Sequence, residues 1–233
     1  MKRRLSEIHP VIYKTRIWQK RFFRKVADLS KAGRFASEIE ADNLPFTCKK
    51  HQSLLRRRLG NADPQLQENK VDNLKIACPA IDGILIKPGQ TFSFWRQLGA
   101  ATSEKGYCEG MQLSQGVVVR GVGGGLCQLA NLLYWKALHT PLEIAERHHH
   151  SFDPFPDDNR VLPFGSGAGV FFNYIDLRFH NPTDITCKNY RENEIWRETI
   201  DRRTGNHLAD EMLVKNFAEV KYELSFTAGE CSL

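Results

Sequence analysis

The stretch GVVVRGVGGGLCQLANLLYW, residues 116–135, restricts the fold more than any other part of the chain. Residues 117–119 are three consecutive valines, which favour an extended, pleated backbone. Four glycines then fall within residues 121–125. After them Leu126, Leu129, Leu133 and Ala137, with Leu132, Trp135 and Leu138, follow the helical period until Pro141. The pattern predicts a strand, a glycine turn and a mostly buried helix that begins at Cys127. Glycine loses more conformational freedom on folding than any other residue, so a cluster marks a turn, a close packing partner or a ligand. Cys127 is therefore a nucleophile, a ligand or a packing residue.

The flanking sequence predicts an α+β fold, with helices in the N-terminal half, the strand–glycine loop–helix at the centre and antiparallel strands in the C-terminal half. Residues 36–80 are mixed and polar, with a helix-like stretch in QSLLRRRLG that ends at Gly60. Residues 74–77 read as an apolar helix end broken by Pro79, residues 84–86 as a short apolar segment, Pro88-Gly89 as a turn and residues 91–95 as a strand. A long segment with three adjacent histidines, three prolines and a Gly-Ser-Gly-Ala-Gly run follows the central helix, a length associated with function or with disorder. Ile175, Leu177 and Phe179 then alternate with Asp176, Arg178 and His180. Strands are predicted at 185–187, 195–200 and 220–226, with turns at NPTD and RRTGN.

Of 233 residues, 33 are Lys or Arg and 27 Asp or Glu, yet residues 1–31 hold ten of the basic residues and only Glu7 and Asp28 as acids. We divide the chain into a basic amphipathic N-terminal helix, residues 1–35, and an α+β domain, residues 36–233. Aromatic and basic residues interleave around Trp18, Phe22 and Phe23. One reading packs the apolar side of this helix on the domain. Another rests residues 8–31 on anionic lipid as a peripheral membrane contact. Charges every three or four positions interrupt the apolar stretch of about 7 to 15 residues that a secretion signal needs, and a cytoplasmic location is expected. No recognisable nucleic-acid module accompanies the basic segment, so no nucleic-acid partner is expected.

The six cysteines form no Cys-x-x-Cys pair, which points to reduced thiols rather than a zinc ribbon or a redox motif. A thiol at a helix N-terminus faces unpaired N–H groups and the positive end of the macrodipole, and both favour thiolate. His148 or His150 would serve as base, with Asp176 or Asn131 as the orienting group. Gln128 and the amides of Gly124 and Gly125 would stabilise an oxyanion, beside Gly123. The structural alternatives are a Cys127 packed under the turn, glycines that only let strand and helix approach, and an Asp176 in a salt bridge. A zinc site from His148 and His150 with Asp153, Asp157 or Asp158 competes. The glycine run lacks the Lys-Ser/Thr of a phosphate loop. No cofactor is implied.

KPGQTFSFW, KGYCEGMQLSQG, GGGLCQLANLLYW, LHTPLEIAERHHHSFD and YIDLRFHNPTD, in that order over residues 84–184, resemble the VanW family, an accessory of VanB-type vancomycin (glycopeptide) resistance clusters. The matching positions are Gly123, Gly124, Gly125, Cys127, Gln128, Asn131, His150 and Asp176. Ala130 stands where the family often has serine, which argues against a serine nucleophile there. The resemblance implies a role in cell-wall metabolism or antibiotic resistance, with peptidoglycan-related peptides or precursors as partners. Three functions follow as expectations: a thiol-dependent hydrolase or acyltransferase, a non-catalytic binding module for a wall precursor or protein partner, and a zinc-dependent hydrolase.

Overall fold

The structure is a computed structural model that describes residues 10–42, 44, 46–55, 63–114, 117–149, 167–198 and 218–228. The strand–turn–helix at the centre forms as its pattern predicts: strand β5 (Val117–Val122), four turn residues, and a helix (Cys127–Ala137) that begins at the cysteine. Leu129, Ala130, Leu133 and Ala137 on that helix are buried. A second core helix spans Pro64–Ala77, with Asp63 as N-cap accepting from Gln65 N at 3.0 Å and Pro64 at the first turn, where its missing N–H costs nothing. A basic helix, Pro10–Leu29, precedes both. In chain order these are α1 (Pro10–Leu29), α2 (Pro64–Ala77), α3 (Phe94–Leu98) and α4 (Cys127–Ala137).

Among the described residues the strands form three antiparallel sheets. β1 (Phe46–Leu54), β9 (Ala218–Ala228), β8 (Cys187–Glu198) and β2 (Leu85–Ile86) lie in the order β1-β9-β8-β2. β3 (Thr91–Ser93), β7 (Arg178–His180) and β6 (Glu143–Glu146) lie in the order β3-β7-β6, and β4 (Glu109–Ser114) forms a two-stranded sheet with β5. Phe92 and Phe179 face each other in the β3–β7 register, with ring centroids 5.4 Å apart. Such aromatic pairs add about 0.5–1.5 kcal/mol beyond their area burial. Around them Leu74, Ile81, Ile84, Ile86, Phe94 and Leu133 form one buried core.

Two local expectations are corrected. Residues 52–54, expected in a helix, belong to β1 and pair with β9, because a partner far along the chain outweighs local helical spacing. The strand expected through Trp95 ends at Ser93, whose side chain caps α3 by accepting from Arg96 N at 3.3 Å. Asp176 and Arg178, which alternate with Leu177 and Phe179, are both buried and form the salt bridge given as the alternative role of Asp176, at 2.8 Å. The predicted turn at RRTGN lies outside the described residues.

The buried core draws on residues from Ala36 to Cys187, and α1 reaches it through charge. Arg24 grips Glu146 with two guanidinium nitrogens, the Nη2–Oε1 bond measuring 2.7 Å. Arg178 binds Asp28 through paired bonds of 2.8 and 2.7 Å. The expected packing of an apolar α1 face on the domain is therefore overturned: Trp18, Phe22, Phe23, Val26 and Leu29 are exposed.

Candidate functional site

The glycine turn is shaped by contact and by handedness. Gly123 and Gly125 have φ of +74° and +92°, a region that L side chains rarely adopt. Gly124 lies against Gly110 of β4 so closely that an added Cβ would meet the Gly110 carbonyl carbon at 2.1 Å. The turn amides are already engaged: Gly123 N donates to Cys108 O, Gly124 N to Gly121 O and Gly125 N to Met111 O, at 2.9 to 3.0 Å. These bonds tie the turn to Cys108, Met111 and Gly121, and they engage the Gly124 and Gly125 amides expected to face an oxyanion. Asn73 adds a further clasp, donating to Gly124 O at 2.9 Å and accepting from Cys108 N at 2.7 Å.

Cys127 is the first residue of α4, where the macrodipole favours thiolate. Burial opposes this more strongly: the residue is half-buried, and desolvation pushes the thiol pKa above its ordinary value. Its sulfur contacts Val170 O at 3.9 Å, and among the described residues no histidine bonds to it. His148 turns to Glu146, with Nε2 3.2 Å from Oε1. His150, Asp153, Asp157 and Asp158 lie outside the described residues. Among the described residues no group of three or more His, Cys, Asp or Glu could hold a metal ion, and five cysteines are free.

The remaining expected site residues hold the scaffold. Gln128 donates to Ser53 Oγ on β1 at 2.9 Å. Asn131 Oδ1 accepts from Ala168 N at 2.6 Å and fastens the returning chain to α4. Asp176, expected to orient a histidine, instead accepts from Ser93 Oγ at 2.6 Å, Trp95 N at 3.1 Å, Leu177 N at 2.9 Å and Arg178 Nε at 2.8 Å. Burial penalises the carboxylate of Glu146, yet hydrogen bonds from Arg24 and Asp176 N hold its pKa below the usual 4.5. Arg178 likewise is held charged against burial by Asp28 and Asp176.

Cys127 and the turn open on a cleft of about 330 Å³. Gly123, Gly125, Leu126 and Cys127 form one side, Gln112, Leu113 and Val122 of the β4–β5 hairpin another, and Ala100, Ala101 and Thr102 a third. Trp95, Val170, Phe171, Phe172 and Arg21 of α1 complete it. Arg21 Nε donates to Phe172 O at 2.6 Å and its guanidinium sits 5.5 Å from the Phe172 ring centroid, which fixes a positive charge at the edge of an apolar wall. Sequence reasoning missed Arg21 and Phe172 as neighbours. They are 151 residues apart, and only the spacing of Arg21 from Arg24 and Asp28 on one helix hints that Arg21 approaches the domain.

Fold and cleft together define an α+β domain built around a strand–glycine turn–helix with a half-enclosed pocket. The family described as VanW like protein matches residues 69–207, and the chain belongs to that family. It is 37% identical over 177 residues to the vancomycin B-type resistance protein VanW of Enterococcus faecalis (strain ATCC 700802 / V583), covering 76% of this chain and 62% of that protein. It is 31% identical over 130 residues to the uncharacterized protein YoaR of Bacillus subtilis (strain 168), covering 53% and 40%. The chain thus spans less than two thirds of the length of either relative. No solved structure matches it. The family is linked to vancomycin resistance through its namesake.

Proposed function

We propose that this chain is a binding module that holds a peptidoglycan-related peptide in the cleft beside the glycine turn. The observation that carries the reading is a cleft that combines the Trp95–Phe172 wall with the Arg21 guanidinium fixed at its edge, which suits a carboxylate-bearing peptide. The name of the Enterococcus relative, a vancomycin resistance protein, supports the choice of a cell-wall peptide. The turn amides and the raised thiol pKa favour binding over chemistry.

Calorimetric titration of the intact chain with a soluble peptidoglycan stem peptide tests this. Binding weakened about tenfold by Arg21→Gln, the loss expected for one charge-assisted hydrogen bond, supports it. Absence of binding, or equal binding by the variant, overturns it.

A thiol-dependent hydrolase or acyltransferase is the second reading, favoured by the place of Cys127 at the start of α4 and in the wall of the cleft. It predicts cleavage or transfer of the same peptide, lost on Cys127→Ser. The binding reading predicts an intact peptide and a Cys127 that alkylates near pH 7 more slowly than the exposed Cys108 in the same molecule.

A further inference from the structure

On α1 the usual arrangement of a surface helix is inverted. Arg24 and Asp28, one turn apart, face the domain in ion pairs. About 3.6 residues make a turn, so Val11, Trp18, Phe22, Val26 and Leu29 lie together on the opposite side. All five are exposed, Trp18 by 65% and Leu29 by 65%. The Trp18 and Phe22 rings stack with centroids 5.8 Å apart, and Phe23 meets Phe22 edge-on at 5.8 Å, so the surface is a continuous aromatic strip.

Cations border this strip on both sides. Helical spacing puts Lys14 and Lys25 along one edge and Arg16 beyond Phe23 on the other, while Lys20 lies on the Arg24 side, over the Tyr174 ring. The acid of α1, Asp28, is taken up by Arg178. Among the described residues no carboxylate pairs with Lys14, Arg16 or Lys25. A second protein would have to cover the aromatics while supplying acids to both edges. An anionic bilayer supplies both at once, because its acyl boundary takes the rings and its phosphates meet lysines whose stems run along the apolar surface.

We infer that α1 is an interfacial helix that lays its Val11–Trp18–Phe22–Val26–Leu29 face on an anionic lipid surface. The charged inner face keeps the domain attached while the outer face enters the headgroup region. Arg21 belongs to the cleft wall, so the ligand cleft sits within about one helix diameter, about 10 Å, of the bilayer. This inference stands apart from the peptide reading, since Trp18 and Phe22 do not line the cleft.

The test is co-sedimentation of the full chain with phosphatidylglycerol-containing vesicles and with pure phosphatidylcholine vesicles, at low and physiological salt. Binding to the anionic vesicles is expected, about tenfold or more weaker for Trp18→Ala/Phe22→Ala/Phe23→Ala and for Lys14→Glu/Lys25→Glu. All five side chains are exposed, so circular dichroism and the melting temperature should stay unchanged and report that the variants fold. Three results overturn the inference: no binding to anionic vesicles at low salt, binding by the aromatic variant equal to the parent, or a dimer in sedimentation that the aromatic substitutions dissolve. The last would assign the strip to a second copy of the chain.

Discussion

Replacing Gly124 by alanine asks directly why the turn is built from glycine. The new Cβ would lie 2.1 Å from the Gly110 carbonyl carbon and 2.3 Å from its oxygen, both backbone atoms with no rotamer to yield. Carbon atoms in contact settle at about 3.5–4.0 Å, so β4 and the turn must separate by about 1.5 Å or bear the overlap. Separation strains three bonds across the joint, Gly123 N to Cys108 O, Gly125 N to Met111 O and Asn73 Nδ2 to Gly124 O, each 2.9 Å long. Each contributes about 0.5–1.5 kcal/mol net. Bearing the overlap costs about 1–3 kcal/mol or more. The stiffer unfolded chain returns about 0.4–1 kcal/mol. The expected loss is about 2–4 kcal/mol, or about 10 °C in melting temperature for a chain of this length.

Urea unfolding with two control variants isolates the cause. Gly89→Ala meets nothing within 4 Å but has φ of +72°, so it should lose only the left-handed penalty of about 1–2 kcal/mol. Gly33→Ala meets nothing and has no positive φ, so its stability should be close to that of the parent. If Gly124→Ala is as stable as Gly33→Ala while peptide binding is lost, the glycines serve a ligand rather than the joint, and the packing argument is refuted.

Two further substitutions probe the charged clamp. Asp28→Ala leaves Arg178 with Asp176 as a partner, so the loss should be about 2–3 kcal/mol, below the about 3–5 kcal/mol of a fully orphaned buried charge; equal stability in urea would refute the clamp. Glu146 has a folded pKa below 4.5, so its contribution should be complete above that pH and disappear as the pH falls through the lowered folded value. Glu146→Gln should therefore be less stable near pH 7 and show a shallower acid limb in melting temperature against pH; a limb of unchanged slope would refute the assignment.

The legibility of the fold in the sequence follows the range of the interactions. β5 and α4 were readable because their signals, β-branched residues and a helical period, are carried within each element. β4 was not, since Glu109–Ser114 is a polar stretch whose defining contact, Gly110 against Gly124, is made by two absent side chains. β1 was misread because its partner β9 lies far along the chain. At the site, the position of Cys127 at a helix start was legible, but the burial that raises its pKa depends on Val170 and the returning chain. Asp176 and Arg178 alternate like surface residues, yet Ser93 and Trp95 N bond to the buried Asp176, and Asp28 of α1 binds the buried Arg178.

The Arg24–Asp28 pair also dictates where α1 can sit along its own axis. Slide the helix by one turn in one direction and Lys20 replaces Arg24 opposite Glu146, while Arg24 arrives opposite Arg178, cation on cation. Slide it the other way and Asp28 meets Glu146, anion on anion, with uncharged Ala32 left to face Arg178. Both neighbouring seatings are repelled, whereas a greasy stripe of similar side chains would tolerate either. The helix is indexed like a two-pin plug, and a double exchange that places acid at 24 and base at 28 should reseat only when positions 146 and 178 are exchanged with it.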